Sequence, residues 1–283
     1  MVGGDNVKNR ILGKSKIILI SFISIILIFG ALCGCLNENK NVSTKKPYEG
    51  KTITVLCGAG LMKPMNELIQ NFENKTGAKV EVHYGGSAEL FGILTTTGGD
   101  VFIPGAYKYT ADAMKKGLIL NDTVKNITYH IPVIAVPKGN PKNIKGLEDL
   151  AKPGVRVVIG DPKACAIGKV AKKILEKNHL WENVSKNIVV ETPTVNQLLI
   201  YIATNQADAA IIWGDMVTWA ESKGKIEVVE IPKDKNIIKT IPTAVTIYAK
   251  KDNNLEVAKA FNDYISSDEA KEIWKKWGFI PCK

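Results

Sequence analysis

Two short glycine-rich stretches carry the chemistry this chain could do. Gly85-Gly86-Ser87 breaks the strand pattern Val80–Tyr84 and opens an apolar run with Leu90, Phe91 and Leu94 on one face. Cys57-Gly58-Ala59-Gly60 follows the β-branched segment Thr52–Leu56 in the same way. A glycine turn that leads into a helix exposes backbone N–H groups at the positive end of the helix dipole, and Ser87 adds a hydroxyl. Such turns can hold an anion. The same residues also suit plain capping, because Ser is a favoured N-cap. The remaining polar candidates read as structural. Asp100 follows Gly98-Gly99, Asp161 precedes Pro162, and Asp215 follows Gly214 at a helix start, which suits a cap or dipole partner. His83, His130 and His179 have neither HxxxH nor HExxH spacing. Cys57, Cys165 and Cys282 have no CxxC spacing. Cys57 and Cys165 read as small buried thiols, with a soft-metal or redox role as the sharper alternative. No GxSxG elbow, Walker A loop or GxGxxG fingerprint is present.

The elements around these turns alternate. After Thr52–Leu56, a helix carries Leu61, Met65, Leu68, Ile69 and Phe72 as a one-sided stripe and stops at Gly77. Val80–Tyr84 is the next strand, Val101–Ile103 another, and Tyr107–Lys116 a helix closed by Gly117. An apolar strand is expected over Tyr129–Val136, and the pattern then restarts. Strands at Val155–Ile159, Ile188–Val190 and Ala209–Ile212 each precede a turn and a helix, the turns lying at Asp161–Gly168, Pro193–Asn196 and Trp213–Met216. Ile226–Val229 and Ala244–Tyr248 read as strands. The C-terminal helices bear Leu255, Ala258, Phe261, Tyr264 and Ile265, then Ala270, Ile273, Trp274 and Trp277. The fold class is therefore α/β, with open, mostly parallel sheets whose ligand turns lie at the carboxyl ends of strands.

The N-terminus sets the compartment. Lys8, Arg10, Lys14 and Lys16 precede a 16-residue apolar run, Ile17–Leu32, which ends in Leu32-Cys33-Gly34-Cys35. A basic start, an apolar run and small residues describe a secretory signal, and the run is short for a spanning helix. The ending resembles a lipobox, with Cys35 as the lipidated residue; the alternative is an uncleaved anchor. The polar stretch that follows reads as a tether. The net charge is +10, of which +4 lies in the first 50 residues. The rest is scattered as single charges, with no aromatic-interleaved basic stripe of the kind nucleic-acid binders carry.

From here the chain resembles the substrate-binding lipoproteins of ABC importers, and most closely the molybdate/tungstate-binding proteins. The resemblance is carried by Ile53-Thr-Val-Leu-Cys-Gly-Ala-Gly-Leu61, Gly85-Gly-Ser-Ala-Glu-Leu90 and Gly99-Asp-Val-Phe102 in the first half. In the second half it is carried by Gly160-Asp-Pro162 with Gly168 and Ala171, Ala210-Ile-Ile-Trp-Gly-Asp215, Ala258-Lys-Ala-Phe261 with Tyr264, and Lys276-Trp-Gly-Phe279. It implies two open-sheet α/β lobes joined by a two-strand hinge near Tyr129–Ile131 and Lys239–Thr243, with the ligand cleft between them, the type II periplasmic-binding-protein arrangement. It also implies a tetrahedral oxyanion held by hydrogen bonds alone. The matching positions are Gly60 and Ser87 in the first lobe, and Ile167, Val195 and Trp213 in the second. Gly60 stands where the family has a Ser, and Trp213 where it usually has Tyr, so two hydroxyls are replaced.

The resulting expectations are a signal peptide over 1–35, a tether over 36–50, lobe I over 51–131 plus 244–283, and lobe II over 132–243. The protein is expected to be monomeric, cofactor-free and lipid-anchored on the outer face of the cell membrane, with a permease as partner. It is not expected to be an enzyme or to bind nucleic acid. The competing readings are the same fold binding a metal cation or another small ligand, and a cleft enzyme using Cys165 or Ser87.

Overall fold

Strand β1 (Thr52–Gly58) forms because β-branched and apolar residues cluster there, and Ile53, Val55, Leu56 and Cys57 are buried on both faces of a sheet. This computed structural model describes residues 46–163, 165–220 and 222–283. The expected signal segment with Cys35, and the tether up to Lys45, lie outside the described residues. Residues 46–50, expected as the end of the tether, instead form a turn docked on the domain. The Tyr48 N–H donates to Thr76 O at 2.9 Å, and Tyr48 packs on the core.

Helix α1 (Met62–Thr76) buries its apolar stripe of Met65, Leu68, Ile69 and Phe72 and ends at Gly77, whose φ of 74° suits glycine. β2 (Lys79–Gly85) lies parallel to β1, with Gly58 directly opposite Gly85. The two glycine turns therefore leave the sheet side by side. Helix α2 (Ser87–Thr96), β3 (Val101–Ile103), which also runs parallel to β1, and helix α3 (Tyr107–Lys115) complete this half.

β4 (Lys125–His130) then hands the chain to β5 (Pro132–Pro137) in a second sheet. The single apolar strand expected over Tyr129–Val136 is thus two strands in different sheets. Pro132 has no N–H to continue a ladder, and its carbonyl accepts from the buried Asn236 amide at 2.9 Å. The second sheet adds β6 (Val157–Gly160), β7 (Ile188–Thr192), β8 (Ala209–Trp213) and β9 (Ile226–Glu230), in the order β7-β6-β8-β5-β9. Helices α4 (Ala166–Lys177), α5 (Trp181–Ser185) and α6 (Val195–Ala203) belong to this lobe, and its core is continuous from Val133 to Ile231. α4 lies close against β6 because both contacts are glycines. A Cβ on Gly168 would fall 1.9 Å from Gly160 O.

The chain returns through residues 231–238 to β10 (Lys239–Val245), which pairs antiparallel with β4 and β3. β10 lies wholly in the first sheet, so the return occurs before the expected boundary at residue 243. The expected strand Ala244–Tyr248 is shifted, since Tyr248 opens the short helix α7 (Tyr248–Lys251). Pro242 masks the strand in the sequence; it sits at a register shift in the β10–β4 ladder, where a missing N–H is tolerated. The last helices, α8 (Leu255–Tyr264) and α9 (Asp268–Lys276), pack on the first lobe. Phe261 meets Phe72 edge to face at 5.1 Å, and buried Trp274 donates its indole N–H to Ile265 O at 3.0 Å. β11 (Ile280–Pro281) closes the first sheet, in the order β11-β4-β10-β3-β1-β2. Both sheets are mixed rather than mostly parallel, because the crossing strands run antiparallel to their neighbours.

Candidate functional site

The carboxyl ends of the parallel strands in both sheets open on one cleft of about 490 Å³. The first lobe contributes Gly58–Gly60 with Met62 and Lys63, then Gly85–Ser87, then Gly105. The second contributes Ala166 at the start of α4, Val195 and Asn196 at the start of α6, and Trp213 at the end of β8, with Met216 and Trp219 just beyond. Of the positions expected from sequence, Gly60, Ser87, Val195 and Trp213 line the same cleft. Ile167 is fully buried, and its neighbour Ala166 lines the wall in its place.

The first-lobe turns approach each other at backbone distance. A Cβ on Gly58 would lie 3.1 Å from Gly105 N, and one on Gly105 would lie 3.4 Å from Ser87 Oγ. The tight contact at Gly58 favours a residue without a Cβ where these turns converge. Ser87 is the first helical residue of α2 rather than its cap; Gly86 is the cap, and its N–H donates to Glu89 at 3.1 Å. Among the described residues no group hydrogen-bonds the Ser87 hydroxyl. The helix starts at Ala166 and Val195 likewise have no side-chain cap, which leaves first-turn N–H groups for whatever occupies the cleft. No Asp or Glu lines the cleft, and no group of three or more metal-ligating side chains occurs among the described residues.

The residue that sequence reasoning missed is His130. It sits at the crossing between lobes and lines the cleft while remaining 6 % exposed. Its ring stacks between Trp213, at 4.5 Å and 12°, and Phe279, at 5.4 Å and 20°. Its Nε2 lies 3.4 Å from Asp215 Oδ1 without hydrogen-bonding geometry, and neither Nε2 nor Asp215 Oδ2 has a partner among the described residues. Asp215 stands in the first turn of the short helix after Gly214, as its place in the sequence suggested. It is 3 % exposed and faces the hinge. Burial pushes the His130 imidazole down to about 3 and the Asp215 carboxyl up to about 8, so both are neutral at pH 7. The pair adds no charge to the cleft.

His130 packs against two of the positions expected to contact a ligand, Gly60 and Trp213. A Cβ on Gly60 would meet His130 Cε1 at 3.3 Å, closer than carbon atoms comfortably approach. Trp213 supplies the flat face on which His130 stacks. Gly60 and Trp213 thus belong to one packing unit around an imidazole. No spacing signal in the sequence joins residues 60, 130, 213 and 215.

The other candidates lie off the cleft. Asp100 accepts from Thr54 N at 2.7 Å and ties β1 to β3. Asp161 accepts from Lys163 N at 2.8 Å within its own turn. Cys57, Cys165 and Cys282 are free and buried, and burial raises the Cys57 thiol well above its usual range.

Two α/β lobes joined by two crossings, with strand-end turns from both lining one cleft, define a type II periplasmic binding protein, a solute binder of the ABC-transporter kind and not an enzyme. The chain belongs to the family of bacterial extracellular solute-binding proteins, whose pattern matches residues 53–280. It is 32 % identical over 243 residues to a binding protein of Haemophilus influenzae, covering 86 % of this chain and 96 % of that one. It is 28 % identical over 238 residues to the molybdate-binding protein ModA of Escherichia coli, covering 82 % and 89 %. Among solved structures, the substrate-binding domain of a molybdenum ABC transporter from Clostridium difficile superimposes with a TM-score of 0.71 at 21 % identity, covering 82 % and 99 %, and so shares the fold. L-phospholactate-bound PEB3 superimposes with a TM-score of 0.62 at 26 % identity, covering 81 % and 99 %.

Proposed function

We propose that this protein is a lipid-anchored solute-binding protein that captures an anion with a tetrahedral oxyanion head and delivers it to a membrane permease. The observation that carries the reading is the convergence of helix starts from both lobes, those at Ala166 and Val195 without a side-chain cap, on a cleft lined by no carboxylate. Aligned N–H dipoles stabilise an anion there without a counter-ion, and the absence of acidic groups disfavours a metal cation. Molybdate and the phosphate of phospholactate, named for two of the relatives, share that tetrahedral geometry. In this reading the Ser87 hydroxyl and the backbone N–H groups of Gly60, Ser87, Ile167 and Val195 donate to the anion, and the Trp213 indole N–H replaces a tyrosine hydroxyl. The lobes close about Ile131 and residues 231–238, and the permease recognises the closed form. Cys35 carries the lipid and the folded part is a monomer. The mass of the mature N-terminal peptide tests the first point and sedimentation tests the second.

The test is thermal and chemical unfolding of the full-length protein with molybdate, tungstate, sulfate, phosphate and divalent metals. A bound anion at 1,000 times its dissociation constant adds about 4 kcal/mol of stability. Ser87→Ala removes one donor to a charged group and weakens binding by roughly 1.5–3 kcal/mol. Stabilisation by a metal and by no oxyanion refutes the reading. Anion binding unchanged in Ser87→Ala moves the site elsewhere.

A further inference from the structure

We infer that the ligand is a small organic anion: an oxyanion head of phosphate, phosphonate or sulfonate type, carrying an apolar arm. The inference rests on the oxyanion reading above and concerns the part of the cleft that an inorganic anion would leave unfilled. The donors are concentrated at Gly60, Ser87 and the starts of α4 and α6. Away from them the walls change character. Met62, Met216 and Trp219 also line the cleft, and Met62 is 41 % exposed. Met216 is 2 % exposed, so this wall is anchored in the second-lobe core.

Size and chemistry agree. The cleft of about 490 Å³ holds on the order of sixteen water volumes at ~30 Å³ each, whereas a bare tetrahedral oxyanion has five heavy atoms. Closing the lobes narrows the space but leaves the composition of the walls unchanged. An inorganic oxyanion presents oxygens in every direction and gains most from donors all round it. Here the lining includes two thioethers and an indole, which favour carbon and sulfur contacts. Lys63 stands at the rim with its ammonium 4.3 Å from the centre of the Trp219 ring, a cation–π contact from the first lobe to the second. The buried, unpartnered His130 turns its Cε1–Nε2 edge toward Gly60, between the donor end and the hinge.

The experiment is calorimetric titration of the full-length protein with methylphosphonate and phenylphosphonate against inorganic phosphate, sulfate and molybdate. At least one phosphonate is expected to bind ten or more times tighter than any of the inorganic anions. Trp219→Ala is expected to weaken the phosphonate at least tenfold and inorganic phosphate less than threefold, while Ser87→Ala weakens both alike. Inorganic anions that bind as tightly as the phosphonates overturn this inference and leave the oxyanion reading standing. So does a Trp219→Ala variant that weakens both classes equally. Binding of neither class overturns the oxyanion reading and this inference with it.

Discussion

Replacing Asp215 with Asn should abolish a loss of stability that the native protein suffers between neutral and mildly alkaline pH. In the folded chain Asp215 keeps its proton up to about pH 8, because burial disfavours the carboxylate. In the unfolded chain it titrates near 3.9. Between those values the native state holds one more proton than the unfolded state, so stability falls as pH rises, by roughly 1.4 kcal/mol per unit. His130 acts with the opposite sign. Folded, it titrates at about 3; unfolded, it titrates near 6.5, and in that interval the unfolded chain holds the extra proton. Stability from His130 is complete above about pH 6.5 and is lost as pH falls toward 3. The two slopes cancel between roughly pH 4 and 6.5. From there to about pH 8 Asp215 acts alone, and the loss amounts to about 2 kcal/mol. Asn has nearly the same shape and does not titrate. Urea unfolding of the ligand-free protein and of Asp215→Asn, at steps from about pH 5 to pH 8.5, gives the difference directly and cancels every other titrating group. The difference should shift steadily in favour of the variant from about pH 5 to about pH 8, by roughly 1.4 kcal/mol per unit and about 4 kcal/mol in all, and level off above that. Parallel curves would show that Asp215 is ionised in the native state and that the neutral pair at the hinge is wrong.

Two further outcomes test the packing that shapes the cleft. Gly60→Ser places a Cβ 3.3 Å from His130 Cε1, so the single variant should lose about 1–3 kcal/mol. His130→Ala in the same chain should recover part of that, and a double-mutant cycle showing no coupling would mean the two residues do not contend for space. Gly168→Ala places a methyl group against the Gly160 carbonyl. It should cost at least about 3 kcal/mol by denaturant unfolding, the upper end of ordinary overpacking, because backbone must move rather than a side chain. A change below about 1 kcal/mol would mean that α4 slides freely on β6.

Local signals made much of this protein legible. The glycine turns at 58–60 and 85–87, the stripe on α1 and the β-branched strands all announce themselves within ten or fifteen residues, because helix period, strand period and turn chemistry are short-range properties. They suffice for two α/β lobes and for strand-end turns that face a cleft. Even there, the strand through Pro242 was hidden and Tyr129–Val136 was read as one strand, because a proline can mark either a break or a tolerated bulge. Which strand joins which sheet depends on pairing partners a hundred residues away.

The centre of the site belongs to that second category. Read alone, His130 and Asp215 are an isolated imidazole and an acid after a glycine. Tertiary packing brings them to 3.4 Å, stacks the imidazole on Trp213 and removes both groups from water. Desolvation and ring stacking are properties of assembled neighbours rather than of local sequence. The chain by itself determined that glycine-rich strand-end turns face a cleft; only the folded structure decided that a buried histidine occupies the space beside Gly60.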